Sequence, residues 1–316
     1  MVKMANIMTD LTVLPGVGDG TAQKLRDGGI LTIMGVAVNT PGQIKDAAGI
    51  TEAAARKLIN AARELCELGF EKGDVVAEKQ NTTEFIPTYC TTIDALLGGG
   101  LKLGTTMEAF GQYASGKTQL GHMLAVSTLQ KFPDSYVIWI DTENTFSAKR
   151  IVELCAGLDL DSDKVLSHIK VGKAVSSDHQ ILLTEHIEKD IVEGDDVKLI
   201  VVDSMMNHFR AEYLGRGTLA GRQQMINGYL HKIASLVSSY GMSVYMTNQV
   251  QHDPGQLFGN PEKAVGGNII GHFATTRVWI IKAAKNSRKM KLVDSPDMPV
   301  GEAVFMIKSD KLEGVE

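Results

Sequence analysis

Residues Gly111, Gln112, Tyr113, Ala114, Ser115, Gly116, Lys117 and Thr118 follow the spacing GxxxxGK[ST]. Glycines at these places let backbone N–H groups wrap a phosphate, the start of the following helix adds its dipole, the lysine reaches the β- and γ-phosphates, and the threonine hydroxyl can ligate Mg2+. The chemistry implied is capture of a nucleoside triphosphate, ATP with Mg2+. Lys198 to Asp203 reads KLIVVD, an apolar run closing on an acid that could hold the metal beside Thr118. Many strands end in aspartate, so the pairing with the phosphate loop carries that assignment. Between them, WIDTENTF ends another apolar run with Asp141 and Glu143. A carboxylate there could orient an attacking water, or the segment could be a solvated strand end. A fourth run closes in Thr247, Asn248 and Gln249, whose amide could sense the γ-phosphate; a polar strand end is the plainer reading.

These segments need a frame. Apolar, β-rich runs at 105–110, 136–140, 199–202, 243–246, 278–281 and 303–307 alternate with helical patterns, which predicts an α/β core with a mostly parallel sheet covered on both faces. Residues 10–68 show helical spacing and no strand. Leu14-Pro15-Gly16-Val17-Gly18 precedes one helical stretch and Ala48-Gly49-Ile50-Thr51 another, so a small all-α domain of two helix-hairpin-helix units is expected over 1–68. Its hairpin N–H groups could face DNA phosphates, or Thr21 and Thr51 could simply cap helices. The polar, mixed-charge stretch 69–84 reads as a linker, and the ATPase core occupies 85–316. HDPGQLFGNPEKAVGGN, within 251–270, is a long Gly- and Pro-rich loop of the kind usually kept for function, an inert insertion being the alternative. Lys282, Lys285, Arg288, Lys289 and Lys291 occur without an acid among them, a further candidate DNA surface or a solvated hairpin.

The chain has 316 residues, 32 Lys plus Arg, 37 Asp plus Glu and a net charge of -5. Any nucleic-acid site is therefore a local basic patch. No stretch approaches the roughly 18 apolar residues that span a bilayer, and Cys66, Cys90 and Cys155 lack metal or disulfide spacing. A soluble cytoplasmic protein with reduced thiols and no membrane partner is expected.

HFRAEYLGRG with Arg222-Gln223-Gln224, DTENTF, TNQVQ, AVGGNIIGH, and DSP with PVGEAVF stand in one order. The chain thereby resembles the RecA/RadA strand-exchange recombinase family, most of all the archaeal RadA proteins, from the first helix-hairpin-helix to the C-terminus. The resemblance implies a RecA-like ATPase that forms rings or helical filaments on single-stranded DNA and pairs it with homologous duplex DNA. It implies Glu143 as general base, Lys117 and Gln249 as catalytic partners, Arg150 stacking on adenine, and Asp294 at the ATP site. Arg210, Arg216 and Arg222 would form the first DNA loop, and Gly266, Gly267 and Asn268 would belong to the second. His272 would couple that loop to the nucleotide. Phe70, with Gly73 in the place of the usual alanine, resembles the family's subunit-joining Phe-x-x-Ala; packing of Phe70 on its own domain is the alternative.

The sequence departs from the family where Ser147-Ala148-Lys149-Arg150 follows Phe146, at Asp297 and Gly221, and in a shorter 129–134 segment. The phosphate-handling residues are kept. Two other functions are weighed: a regulatory paralogue that binds ATP and DNA without strand exchange, against which the helical domain counts, and a hexameric helicase, against which RAEYLGRG and AVGGNIIGH count.

Overall fold

A computed structural model describes residues 9–213, 215–252, 262–266 and 268–315. The chain divides into two compact units, residues 1–82 with 185–195, and residues 83–184 with 196–316.

Within the first unit, helices Asp19–Asp27, Ile33–Val38, Pro41–Ala48 and Glu52–Leu65 follow a single 3-10 turn at Leu11–Val13. Their starts are chemically distinct. Thr40 and Gln43 form a reciprocal capping box with Pro41 in the first turn, and the Thr51 hydroxyl accepts from Ala54 N at 3.2 Å. Gly18 caps the first helix without any side chain, so Thr21 lies inside that helix. Leu11, Leu14, Leu25, Ile33, Ile44, Leu58 and Ile59 fill the core. The stretch expected to be a plain linker contains the helix Gly73–Asn81, no residue of which is buried. A helix without an apolar stripe leaves no periodic signal in the sequence.

Twelve strands are seen among the described residues: β1 Phe85–Ile86, β2 Leu101–Lys102, β3 Thr106–Gly111, β4 Tyr136–Asp141, β5 Ile169–Lys173, β6 Val197–Asp203, β7 Ser243–His252, β8 Glu262–Ala264, β9 Thr276–Lys282, β10 Ser287–Asp294, β11 Gly301–Ile307 and β12 Leu312–Val315. β1 and β2 pair with each other, and the large sheet runs β12-β11-β10-β9-β3-β7-β6-β4-β5. From β9 to β5 every pairing is parallel, while β10, β11 and β12 add antiparallel strands at one side. β3 is buried at all six positions and β6 at six of seven, as expected of strands covered on both faces. Behind them the helix Lys117–Lys131 buries Leu120, Met123, Leu124, Val126 and Leu129 against Trp139, Val201 and Tyr245. At roughly 2–5 kcal/mol per large buried side chain truncated, this layer fixes the helix that carries the phosphate loop.

Register brings the candidate segments level. Gly111 pairs with Gln249 and Asp141 with Asp203. Because the spatial order is β3-β7-β6-β4, the strand carrying Gln249 lies between the phosphate loop and the strand ending in Asp203.

The stretch 251–270, expected as a loop without regular structure, departs from that at both ends. β7 runs on to His252 and β8 returns beside it, with Val250 opposite Ala264 and His252 opposite Glu262. Residues 253–261 lie outside the described residues.

Candidate nucleotide and DNA site

A Cβ at Gly111 would lie 2.2 Å from the Ile280 carbonyl oxygen, so only glycine lets β3 turn into the loop against β9. Gly116 takes φ +109, a left-handed conformation that costs glycine little. Between them the Ser115 hydroxyl is buried and finds no partner among the described residues, while Gln112, Tyr113 and Ala114 are exposed. Lys117 is 8 % exposed. Its ammonium donates to the carbonyls of Gly111 and Gln112, each at 2.9 Å, so it curls back over the loop it will serve. Burial lowers its pKa from the usual lysine value, and the nearby carboxylates of Asp203 and Glu143 pull in the opposite direction.

Asp203 gathers three hydroxyls. Its Oδ2 accepts from the hydroxyls of Thr118 at 2.8 Å and Thr145 at 2.9 Å, and its Oδ1 accepts from that of Thr247. One carboxylate with a threonine hydroxyl suits Mg2+, which is commonly held by one or two protein oxygens plus substrate phosphates and waters. The glycine-lined cradle, the buried Ser115 hydroxyl without a partner among the described residues and this donor pair fit a Mg2+-bound nucleoside triphosphate. Tyr245 donates to the Lys117 carbonyl at 2.8 Å and pins the start of the helix to β7.

The two acids of DTENTF do different work. Asp141 is buried and accepts three backbone N–H bonds, from Glu143 at 3.2 Å, Thr145 at 3.1 Å and Phe146 at 3.0 Å. It shapes the turn. Glu143 instead presents its carboxylate to the site, where Oε1 accepts from the Ser204 hydroxyl at 2.6 Å and the Gln249 amide at 3.0 Å. Buried His122 braces the same turn. Its Nε2 accepts from Ser147 N at 3.0 Å and its Nδ1 meets the Thr118 carbonyl at 2.8 Å, so the Nδ1 tautomer is set by its partners.

Other residues singled out in the sequence lie elsewhere. The Arg150 side chain is 8 % exposed and its guanidinium donates to the Ser309 carbonyl, with Glu153 at 3.5 Å. Asp294 is exposed at the end of β10. Arg210 is exposed on the short helix Asn207–Glu212, and Arg222 is half-buried in the helix Leu219–Tyr240. Arg216 lies in a 3-10 turn; its side chain, that of Asn268 and all of Gly267 lie outside the described residues. Gly266 takes φ +90 just past β8, and His272 is exposed. Arg210 borders a cavity of about 300 Å³ shared with Ser204, Asn207, Asn248, Gln249 and Val265, so residues of both candidate DNA loops line it beside Gln249. Phe70 is fully exposed and Gly73 opens the helix after it. In the basic stretch, Lys289 and Lys291 face Glu302 on β11 at 2.9 and 3.8 Å. That reading missed an acid brought in from the next strand.

Ser204, Tyr245 and His122 were not singled out from the sequence, and Thr145 and Thr247 stood there only as members of the runs DTENTF and TNQVQ, without a role of their own. Ser204 directly follows the strand-end acid Asp203, and a hydroxyl beside such an acid is the signal that could have found it.

The Rad51 family model matches residues 79–315, and a model for a SAM-like helix-hairpin-helix tandem matches residues 8–64. The chain belongs to the Rad51 family. The Rad51 match spans the phosphate loop, Glu143, Asp203, Gln249 and both candidate DNA loops, and the helical match ends just before the exposed Phe70. The fold is thus a RecA-like α/β core with an all-α helix-hairpin-helix unit, and the function is that of a DNA-binding, recombinase-family protein. No helix among the described residues is long and apolar enough to cross a membrane.

Proposed function

We propose that this chain is a DNA-dependent ATPase that assembles on single-stranded DNA with ATP and Mg2+ and catalyses homologous pairing and strand exchange in recombinational repair, in the manner of the archaeal RadA proteins. The single observation that carries the reading is the Glu143 carboxylate, held by Ser204 and Gln249 on the same sheet edge as Lys117 and Asp203. Phosphoryl transfer needs positioning and charge stabilisation more than covalent chemistry.

On this reading Lys117 exchanges its two carbonyl partners for the β- and γ-phosphates, and Gly111 to Gly116 wrap them with N–H groups. Thr118 and Asp203 would hold Mg2+, which would supply charge neutralisation on the phosphates. Glu143 orients the attacking water and takes its proton, a contribution of about 10²–10⁴ in rate. Gln249 senses the γ-phosphate by dividing its amide between that phosphate and Glu143. Asp294 serves the nucleotide site. Arg150 contributes to adenine through a guanidinium whose Nε and Nη2 have no partner among the described residues.

Arg210, Arg216, Arg222, Gly266, Gly267 and Asn268 hold DNA phosphates, His272 couples the second loop to the nucleotide, and Phe70 with Gly73 joins protomers into rings or helical filaments. A complete hydrolytic set favours this over a paralogue that binds without exchanging strands. The test is ATP hydrolysis with and without single-stranded DNA. Stimulation by DNA supports the reading, and a rate indifferent to DNA overturns it.

A further inference from the structure

Glu143 sits on the turn at residues 142–147, between β4 and the helix Ala148–Gly157. A general base has to stand within hydrogen-bond reach of the proton it takes, so whatever fixes this turn fixes the base. From within, Asp141 accepts the N–H groups of Glu143, Thr145 and Phe146. Thr142 N donates to the Asp203 carbonyl at 2.8 Å, and the Thr142 hydroxyl bonds to Ser204 N and the Ser204 carbonyl at 2.8 and 2.9 Å. Two further backbone groups, one at each end of the turn, take side-chain partners from other elements.

At the far end, Ser147 N donates to His122 Nε2 at 3.0 Å. His122 is fully buried on the helix Lys117–Lys131, one turn after Thr118. Because Nε2 accepts, Nδ1 carries the proton and donates to the Thr118 carbonyl at 2.8 Å. The ring packs on Trp139 and Phe146, at centroid distances of 4.5 and 5.7 Å. Its place and its tautomer are thus both determined by its neighbours.

At the near end, Asn207 Nδ2 donates to the Thr142 carbonyl at 2.7 Å. Asn207 opens the helix Asn207–Glu212. That helix is itself anchored, since His208 Nε2 donates to the Ala174 carbonyl at 2.9 Å and Glu212 accepts from Ser177 N at 2.8 Å. His122 and Asn207 therefore bond to the backbone that carries Glu143, while the carboxylate itself is met by Ser204 and Gln249.

We propose that His122 and Asn207 are positioning residues for ATP hydrolysis, which clamp the two ends of the Glu143 turn, one to the helix behind the phosphate loop and the other to the helix after β6. The inference rests on Glu143 as the base in the function proposed above and deepens it. Lys117 and Thr118 do not depend on either clamp to meet the phosphates, so loss of a clamp falls on the reacting step and spares ATP binding. An interaction of that kind lowers kcat and leaves KM in place.

The experiment measures kcat and KM for ATP on the full chain with Mg2+ and saturating oligothymidine, in the wild type, His122→Leu, His122→Gln and Asn207→Leu. His122→Leu removes the acceptor for Ser147 N and should lower kcat by between about tenfold and 10²-fold, the cost of misplacing a reacting group by about 1 Å, with KM within about twofold of wild type. His122→Gln restores an acceptor near the place of Nε2 and should recover most of kcat. Asn207→Leu, similar in size but without a donor, should again lower kcat with KM unmoved. A merely structural role would lower the unfolding temperature of these variants without the split between kcat and KM and without rescue by glutamine.

Equal kcat in the two His122 variants, whether both normal or both slow, overturns the inference, as does a wild-type kcat in Asn207→Leu; the proposed function then still stands. A wild-type protein that hydrolyses no ATP overturns both. Should His122→Leu not fold, Asn207→Leu, at a half-buried site, decides by its kcat alone.

Discussion

The Gln249 amide donates to Glu143 Oε1 at 3.0 Å across a sequence separation of 106 residues. The contact joins β7 to the turn after β4 and passes the Ser204 hydroxyl, which donates to the same oxygen. The acid proposed to activate water is thus held by the amide proposed to read the γ-phosphate.

Glu143 and Asp141 should fail differently when neutralised. Glu143→Gln should keep ATP affinity and lose turnover by about 10²–10⁴-fold, because only the water-orienting charge is removed. Asp141→Asn keeps one oxygen for the N–H groups of Glu143 and Thr145 but sets an NH2 against that of Phe146, and should cost about 1.5–3 kcal/mol of stability. Steady-state ATPase and urea unfolding of both variants separate the roles; near-normal turnover in Glu143→Gln would falsify its assignment as the base.

Stability should fall in mild acid because of His122. Burial lowers its pKa from 6.5, with a smaller opposing contribution from the Thr118 carbonyl. Above 6.5 the imidazole is neutral in both the folded and the unfolded chain, and its bonds to Ser147 and Thr118 are fully present. As pH drops below that value the unfolded chain takes up the proton first, so stability declines by about 1.4 kcal/mol per pH unit until the lowered folded pKa is reached. Urea unfolding of wild type and His122→Leu between pH 7.5 and 5.5 should show the steeper decline in the wild type, and parallel curves would refute the role given to His122.

Replacing Arg210, Arg216 and Arg222 by alanine should weaken single-strand binding whatever the sequence. If each meets one phosphate, the salt slope should flatten by about 2, at roughly 0.7 per contact. Anisotropy titrations at several salt concentrations measure both, with thermal unfolding as the control for half-buried Arg222. An unchanged slope would move the phosphate contacts to Lys282, Lys285 and Arg288.

Phe70→Glu should leave each unit folded, since the ring is fully exposed. A large aromatic left in water is costly and is a natural anchor for a neighbouring protomer, and a head-to-tail contact of that kind generates rings or helical filaments. Light scattering should find the variant monomeric. Assemblies of normal size would show that Phe70 joins nothing.

Local chemistry was the legible part of the sequence. The phosphate loop depends on adjacent residues, with Gly111 forced by the Ile280 carbonyl and Gly116 by its φ, and it could be read directly. Each of the six apolar runs became a strand: β3, β4 and β6 are apolar because they are covered on both faces, whereas β9 and β11 are buried only at alternate positions. What escaped depends on spatial order. Nothing along the chain places β7 between β3 and β6, so the meeting of Gln249 with Glu143 and of Asn248 with Glu108 could not be derived from spacing. Glu108 is a single acid in an apolar run, and its partners Arg277 and Asn248 come from the neighbouring strands β9 and β7. β10 was hidden by its charge: Met290 and Leu292 face inward while Lys289 and Lys291 meet Glu302. The helix Gly73–Asn81 buries nothing, so no periodic pattern marked it.

The measurement that bears most directly on the central claim is strand exchange by the purified protein alone, with circular single-stranded DNA and homologous linear duplex, with and without ATP and Mg2+. Joint molecules and exchanged product should form with ATP, should be absent without it, and should disappear in Lys117→Ala, which loses the cation placed for the β- and γ-phosphates. ATP-dependent DNA binding with no exchanged product under any of these conditions would contradict the account and leave a protein that binds both ligands without recombining DNA.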